Sequence, residues 1–265
     1  MKQIFLIFAV AGCCNFLSPS YAQENFSLWP RRPAELEQAR QLLSQGKQGE
    51  AVRLLQPFVH DAGVTGRESR QIAAKVNVPR YLSRMHPAAK VHTVKRGETL
   101  PKIAAVTKCP VDMLMLLNGL IEPSSLKVGQ SLVYVDMQLR MEIYPSMDEV
   151  CVWDGEALVA SYRVLGVKGS VDGSSGRETR IAARESYMQG KTLPSSSAMS
   201  AVADKRLKLE DGTLLVSDDM EHGRYVRLDK RDLNELAQLL REENSVIWAA
   251  DPQAGVSVAP ERQEK

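Results

Sequence analysis

Residues Val91 to Val135 read VHTVKRGETLPKIAAVTKCPVDMLMLLNGLIEPSSLKVGQSLVYV. Two short β-type runs, His92 to Val94 and Ser131 to Val135, flank two helical patterns of about ten residues each. The plan is therefore β-α-α-β. Thr99 is placed to cap the first helix, and Pro101 suits a first-turn position, where its missing N–H costs nothing. Leu100 and Ile103 pack inward from that helix, and Val111, Leu114 and Leu117 form the buried face of the second. Asn118-Gly119 ends the second helix, and Gly129 supplies the turn before the last strand.

Three segments of this stretch carry a resemblance: V-x-x-G-E-T-L-x-x-I-A from Val94, V-x-x-L-x-x-L-N-G-L from Val111, and LKVGQSLVYV from Leu126. Together they resemble a LysM (lysin motif) domain over its whole length, with Glu98 where the family usually has Asp. The resemblance implies binding of glycans that contain N-acetylglucosamine, peptidoglycan above all, in a shallow groove between the loop after the first strand and the loop after the second helix. By position that groove uses Gly97, Glu98, Thr99 and Leu100 on one side and Leu120, Ile121, Glu122 and Pro123 on the other. A Gly/Pro-rich loop suits a sugar, because its free backbone groups meet acetamido and hydroxyl groups while an apolar side chain meets the ring face. Leu100 also fits the domain core.

After Gln138 the pattern changes to strands and turns. Leu139, Met141 and Ile143 alternate, as do Val150 and Val152, and Asp154-Gly155 reads as a hairpin turn into a run from Ala157 to Val164. Arg180 to Ala183 is a further strand candidate, and Asp211-Gly212 reads as a second hairpin turn. GSVDGSSGRET and GKTLPSSSAMSA are loops by composition. An amphipathic helix with Leu233, Leu236, Leu239 and Leu240 inward precedes a last strand, Ser245 to Ala249.

This order resembles the L,D-transpeptidase (YkuD-like) domain, which closes with Ser-x-Gly-Cys-Ile/Val-Arg-Leu/Met, an Asp, a helix and a strand. Here HGRYVRL (residues 222–228) keeps Val226, Arg227, Leu228 and the later Asp232. The resemblance implies a nucleophilic Cys at the position of Tyr225, a Gly at Arg224 and a Ser at His222; the upstream His-Gly is absent or collapsed onto His222-Gly223, and Thr-Pro-x-Gly has no counterpart near Thr179. Acyl transfer wants a nucleophile partly ionised near neutral pH, which suits Cys at about 8.5 better than Tyr at about 10. The catalytic set is therefore read as none, with His222, Gly223, Tyr225 and Arg227 as degenerate motif positions. Relocation of the nucleophile to Cys151 is an alternative, and Arg227 has a structural alternative in pairing with Asp229 or Asp232.

Upstream of the LysM stretch, Leu36, Ala39, Leu42 and Leu43 share one helical face and Ala51, Val52, Leu54, Leu55 and Phe58 the next, with a turn over Gly46 to Gly49. This helical hairpin resembles a tetratricopeptide (TPR-like) unit, although only one pair is visible. A further helix is expected after it, interrupted at Pro79 and ended before Pro87.

The chain begins with Lys2, an apolar run from Ile4 to about Leu17, and small residues Ser20 and Ala22, the pattern of a secretory signal cleaved after Ala22. VAGC, ending at Cys13, offers the alternative of a lipoprotein, and membrane attachment is expected only in that case. Cys109 and Cys151 remain after cleavage, either as buried free thiols or bridged. His60, His86, His92 and His222 are scattered, so neither a metal site nor a cofactor is implied. A net charge of +2 without basic runs argues against nucleic acid.

The expected architecture is thus α+β and multidomain: signal peptide 1–22, helical TPR-like region 23–90, LysM domain 91–136, degenerate L,D-transpeptidase-like β-rich domain 137–250 and a polar tail 251–265. The function read from it is peptidoglycan binding by an exported protein of the periplasm or cell envelope, with an inactive pseudoenzyme domain. The alternatives are an active L,D-transpeptidase and an envelope scaffold that recruits proteins through its helical region.

Overall fold

The computed structural model describes residues 34–61, 63–169, 176–188, 191–193, 199 and 203–249. The cleavage and lipidation signals, the polar tail and parts of both expected long loops lie outside these residues.

The helical hairpin is present. α1 (Ala34–Ser44) and α2 (Gln48–Leu55) bury Leu36, Ala39, Ala51 and Leu55 against Ile72 of α3 (Gly63–Tyr81), after a 3₁₀ turn at Gln56–Phe58. The pattern does not go on as a repeat, because α3 is 19 residues long and lies along the C-terminal sheet. It also runs through Pro79, where an interruption was expected. Proline in the last turn frees only the carbonyl of Lys75, an exposed residue whose backbone water can reach. Gly66 lets α3 start close to the preceding loop, since a Cβ there would meet the Asp61 carbonyl oxygen at 1.9 Å.

The β-α-α-β unit follows as expected. β1 (Ala89–Thr93) pairs antiparallel with β2 (Ser131–Val135), with α4 (Leu100–Thr107) and α5 (Val111–Asn118) between them. Leu100, Ile103, Met113, Leu114, Leu117 and Leu132 are buried.

The C-terminal strands are β3 (Leu139–Tyr144), β4 (Glu149–Asp154), β5 (Ala157–Lys168), β6 (Glu178–Met188), β7 (Lys191–Leu193), β8 (Asp204–Leu209), β9 (Leu214–Val216), β10 (Tyr225–Leu228) and β11 (Ser245–Trp248), with α6 (Lys230–Leu239) before the last. Both expected hairpin turns occur, but β5 and β6 run well past their expected ends. Their partners explain the length. β6 pairs with β11 over its first residues, with β8 through its middle and with β7 at its end. The order β11-β3-β4-β5-β10-β9-β8-β6 then returns to β11, so the sheet closes into a barrel. Closure leaves few unpaired edges. Among the described strands only β3–β11 and β9–β10 pair in parallel.

All the described residues fall in one compact unit. A single hydrophobic cluster joins Leu100, Met113 and Leu132 of the β-α-α-β unit to Leu207, Leu228 and Leu236 of the barrel and α6. α6 begins at Asp229, whose carboxylate accepts the Arg231 N–H at 2.8 Å. On the opposite flank, the buried Arg70 guanidinium donates to Glu149 at 2.6 Å and 3.1 Å and to the Val59 and Asp61 carbonyls. That pair fastens α3 to β4.

Candidate functional site

The loop between β1 and α4 folds on its own side chains. Glu98 accepts the Lys95 backbone N–H at 2.7 Å and lies 2.9 Å from the His92 ring nitrogen Nε2, while its own N–H donates to the Lys95 carbonyl at 3.2 Å. Gly97 takes φ +82° at the apex, a conformation that side chains disfavour. The Lys95 N–H and His92 together hold the Glu98 carboxyl below the ordinary glutamate range. The departure from Asp thus retains an acceptor for this turn. Thr99 stands at the N-cap position without the expected side-chain bond; its carbonyl accepts the Ile103 N–H instead.

The second loop starts at Gly119, whose φ of +60° closes α5 with N–H groups of Gly119 and Leu120 returned to Leu116 and Met115. Ser125 then folds the loop back by donating twice to the Glu122 carbonyl. The two loops divide the eight expected glycan-binding residues. Gly97, Thr99, Ile121 and Glu122 are exposed and Glu98 is half-buried, so all five can meet a ligand. Leu100 and Pro123 are buried, and Leu120 packs against the core, so these three support the loops rather than line a groove. Their correction has a simple cause: apolar residues at loop ends are drawn into the nearest core. Ile121 is the opposite case, 84% exposed with nothing among the described residues to cover it.

Sequence reading missed what Asn118 does beyond ending a helix. Its amide donates to the Leu114 and Val133 carbonyls at 2.8 and 2.7 Å and accepts the Val133 N–H at 2.7 Å. It ties α5 to β2 and so sets where the second loop starts.

In the barrel, β10 lies between β5 and β9 and carries Tyr225, Val226, Arg227 and Leu228. Tyr225 is buried, and its hydroxyl donates to Asp219 at 3.1 Å. Burial, then the adjacent Asp219 carboxylate, pushes the phenol further above its ordinary value and away from a nucleophile's range. Arg227 donates to the same Asp219 at 2.7 Å and to the Leu165 carbonyl, so its partner is neither Asp229 nor Asp232. Asp229 is occupied as the α6 cap. His222 is almost fully exposed beside Glu221 and makes no contact with Tyr225 among the described bonds. Arg224 lies over Gly169, where a Cβ would come within 2.5 Å of its side chain, and bonds the Asp211 carbonyl.

Beside this strand end is a cavity of about 270 Å³ lined by Tyr187, Asp204, Arg206, Asp218, Asp219 and Glu221, among others. It offers carboxylates, one guanidinium and the Lys205 ammonium, with no thiol in its lining. Among the described residues, Cys109 and Cys151 are free and buried. Burial raises the Cys109 thiol to about 11 and Cys151 well above its ordinary value, so Cys151 is not a relocated nucleophile. Among the described residues no group of three or more His, Cys, Asp or Glu is placed to hold a metal ion, and no helix is long and apolar enough to cross a membrane.

Comparison with known proteins gives three findings. No curated protein matches the chain. Among solved structures, a mutant L,D-transpeptidase from Enterococcus faecium aligns over 46% of this chain and 56% of its own, at 9% identity and a TM-score of 0.29, so the chain spans little more than half of that protein. The family model described as LysM domain matches residues 92–134, the stretch that forms β1, α4, α5 and β2. Residues 92–134 are a LysM domain.

Proposed function

We propose that this protein is exported to the cell envelope and there binds peptidoglycan through its LysM domain, with the barrel as a non-catalytic binding or structural module. The observation that carries the reading is the LysM domain itself, with Gly97, Thr99, Ile121 and Glu122 left outside the core on its two loops. Export is supported by the apolar leader with Ser20 and Ala22 before a cleavage point, and the lipidation alternative at Cys13 would add a membrane anchor. Loss of catalysis is supported by Tyr225 in the place of the nucleophile, with its phenol held protonated by burial and then by Asp219.

Deletion of the LysM domain is a poor test, because it would bare the apolar face that α5 shares with the barrel. Ile121→Asp is a better one. Co-sedimentation of the full chain with purified sacculi should fall roughly tenfold on this substitution, the worth of one covered aliphatic side chain. Its melting temperature should stay at the wild-type value, because Ile121 is exposed. Undiminished sedimentation of Ile121→Asp would remove the two loops from the glycan site.

A further inference from the structure

Among the described residues, the two-stranded sheet of the LysM domain has one closed outer edge and one open one. The Val94 N–H donates to the Gln130 carbonyl and the Val94 carbonyl accepts the Gly129 N–H, so both backbone groups of Val94 point toward the β2 side. Along a strand this direction alternates. Lys90 and His92 therefore bond their β2 partners Tyr134 and Leu132, while the backbone groups of Val91 and Thr93 point away from the sheet. Val133, opposite Val91, also aims its N–H and carbonyl outward, and both are taken by the Asn118 amide. The β2 edge is thereby closed by α5. The β1 edge has no such cover, since no described strand pairs with its outer side and no described side chain bonds the outward groups of Val91 or Thr93. A free edge of this kind is a template for another strand.

The edge is complementary to itself. Antiparallel pairing about a two-fold axis through Val91 sets Val91 of one copy opposite Val91 of the other, and the two exchange N–H to carbonyl bonds. Each Thr93 N–H then meets the Ala89 carbonyl of the other copy, whose own N–H is already bonded to the His86 carbonyl. On the face turned away from buried Leu132, Val91 is 62% exposed and lies across from Val133. The joined sheet therefore carries an unbroken row of Val133, Val91, Val91 and Val133, and such β-branched neighbours stabilise cross-strand pairing. On the other face Lys90 comes opposite His92 of the second copy, whose ring is held 2.9 Å from Glu98. The Lys90 ammonium, 3.9 Å from Asp136 in its own chain, thus approaches a further carboxylate instead of a like charge. An unrelated extended segment would match the backbone groups but neither the valine row nor this charge.

We propose that β1 is a dimerisation edge, at which two copies of this chain join their LysM sheets antiparallel about Val91. The pairing is short and lies at the small end of interfaces, so the dimer is weak and forms with rising concentration. It places two sets of LysM loops on one particle, which strengthens retention on a polymeric glycan. That consequence rests on the glycan reading given above; the association itself does not.

Sedimentation velocity of the full chain without glycan, from about 1 μM to about 1 mM, should show monomer giving way to dimer. Val91→Lys puts two ammonium groups face to face on the axis, and Val91→Glu two carboxylates. Each should weaken dimerisation about tenfold or more, and an equimolar mixture of the two variants should restore it. Both variants should keep the native melting temperature, because the Val91 side chain is exposed. A native chain that stays monomeric over the whole range overturns the proposal, whatever the variants do. A dimer that Val91→Lys leaves intact, or a mixture that stays monomeric, overturns the pairing about Val91 and the proposal with it. If the native chain dimerises but does not sediment with sacculi, the edge stands and the glycan reading falls; sedimentation by a strictly monomeric chain has the opposite meaning.

Discussion

Glu98 shows how one side chain prepares a binding loop. Its carboxylate gathers the Lys95 N–H and the His92 ring, and both contacts favour the ionised form. The sign of the pH effect follows. A carboxyl whose folded pKa is depressed below the usual 4.5 stabilises the turn above that value, and the contribution is lost as pH falls through the lower folded pKa. Glycan affinity should therefore hold from neutrality down to about pH 5 and then decline below the ordinary glutamate range, with the Lys95 amide resonance moving in step. Glu98→Gln should flatten that acid limb. Tyr225 illustrates the converse case, in which burial and Asp219 both favour the protonated phenol. Sequence alone singled out Tyr225, as the residue where the resemblance implies a nucleophile. It did not name Asp219 as the partner of both Tyr225 and Arg227, because that acid arrives from a loop whose path depends on β9 and β10 pairing in parallel.

Among the elements, α5 has the most demanding role. One end closes on Gly119, another face packs against β2 through Asn118, and Asp112 reaches across to β6 and β8. Asn118→Ala would leave the Val133 N–H and C=O without the partners they now have. The expected loss is about 1–3 kcal/mol of stability, read as a lower urea midpoint, with weaker sacculus binding as the second loop shifts. An unchanged midpoint would mean that water replaces the amide without cost. The helices themselves were legible from apolar spacing, since Leu100, Ile103, Leu114 and Leu117 recur with the helical period and are all buried. Strand lengths were not. β6 is extended by two partners that both come later in the sequence, β8 and β11, and such pairing leaves no mark in the local pattern of β6.

At the scale of the whole molecule, the LysM domain and the barrel share one apolar cluster, and the Arg70–Glu149 pair fastens the N-terminal helices to the same barrel. A buried pair of this kind costs several kcal/mol to break from one side, whatever its net contribution, which makes it a specific lock between elements. The described residues should therefore unfold together. Scanning calorimetry is expected to give one transition whose van't Hoff and calorimetric enthalpies agree, and Asp112→Ala, which cuts the contact between α5 and the barrel strands, should lower its midpoint without splitting it. Two resolved transitions in the native chain would mean that the LysM domain is an independent bead.

By itself the sequence determined the β-α-α-β unit, its LysM character and the two loops, Gly97 to Leu100 and Leu120 to Pro123, because short-range periodicity and turn chemistry act within about 45 residues of chain. It also determined that the region after Gln138 is rich in strands and ends in an amphipathic helix and a last strand. Only the tertiary structure decided that Leu120 and Pro123 turn inward, that the sheet closes through β6 and β11, and that Arg184, Arg206 and Arg241 meet at a cavity opposite α4. The physical reason is common to all three. Burial, sheet closure and the meeting of like charges are set by residues far apart in the chain, and their energies exist only once the elements have packed.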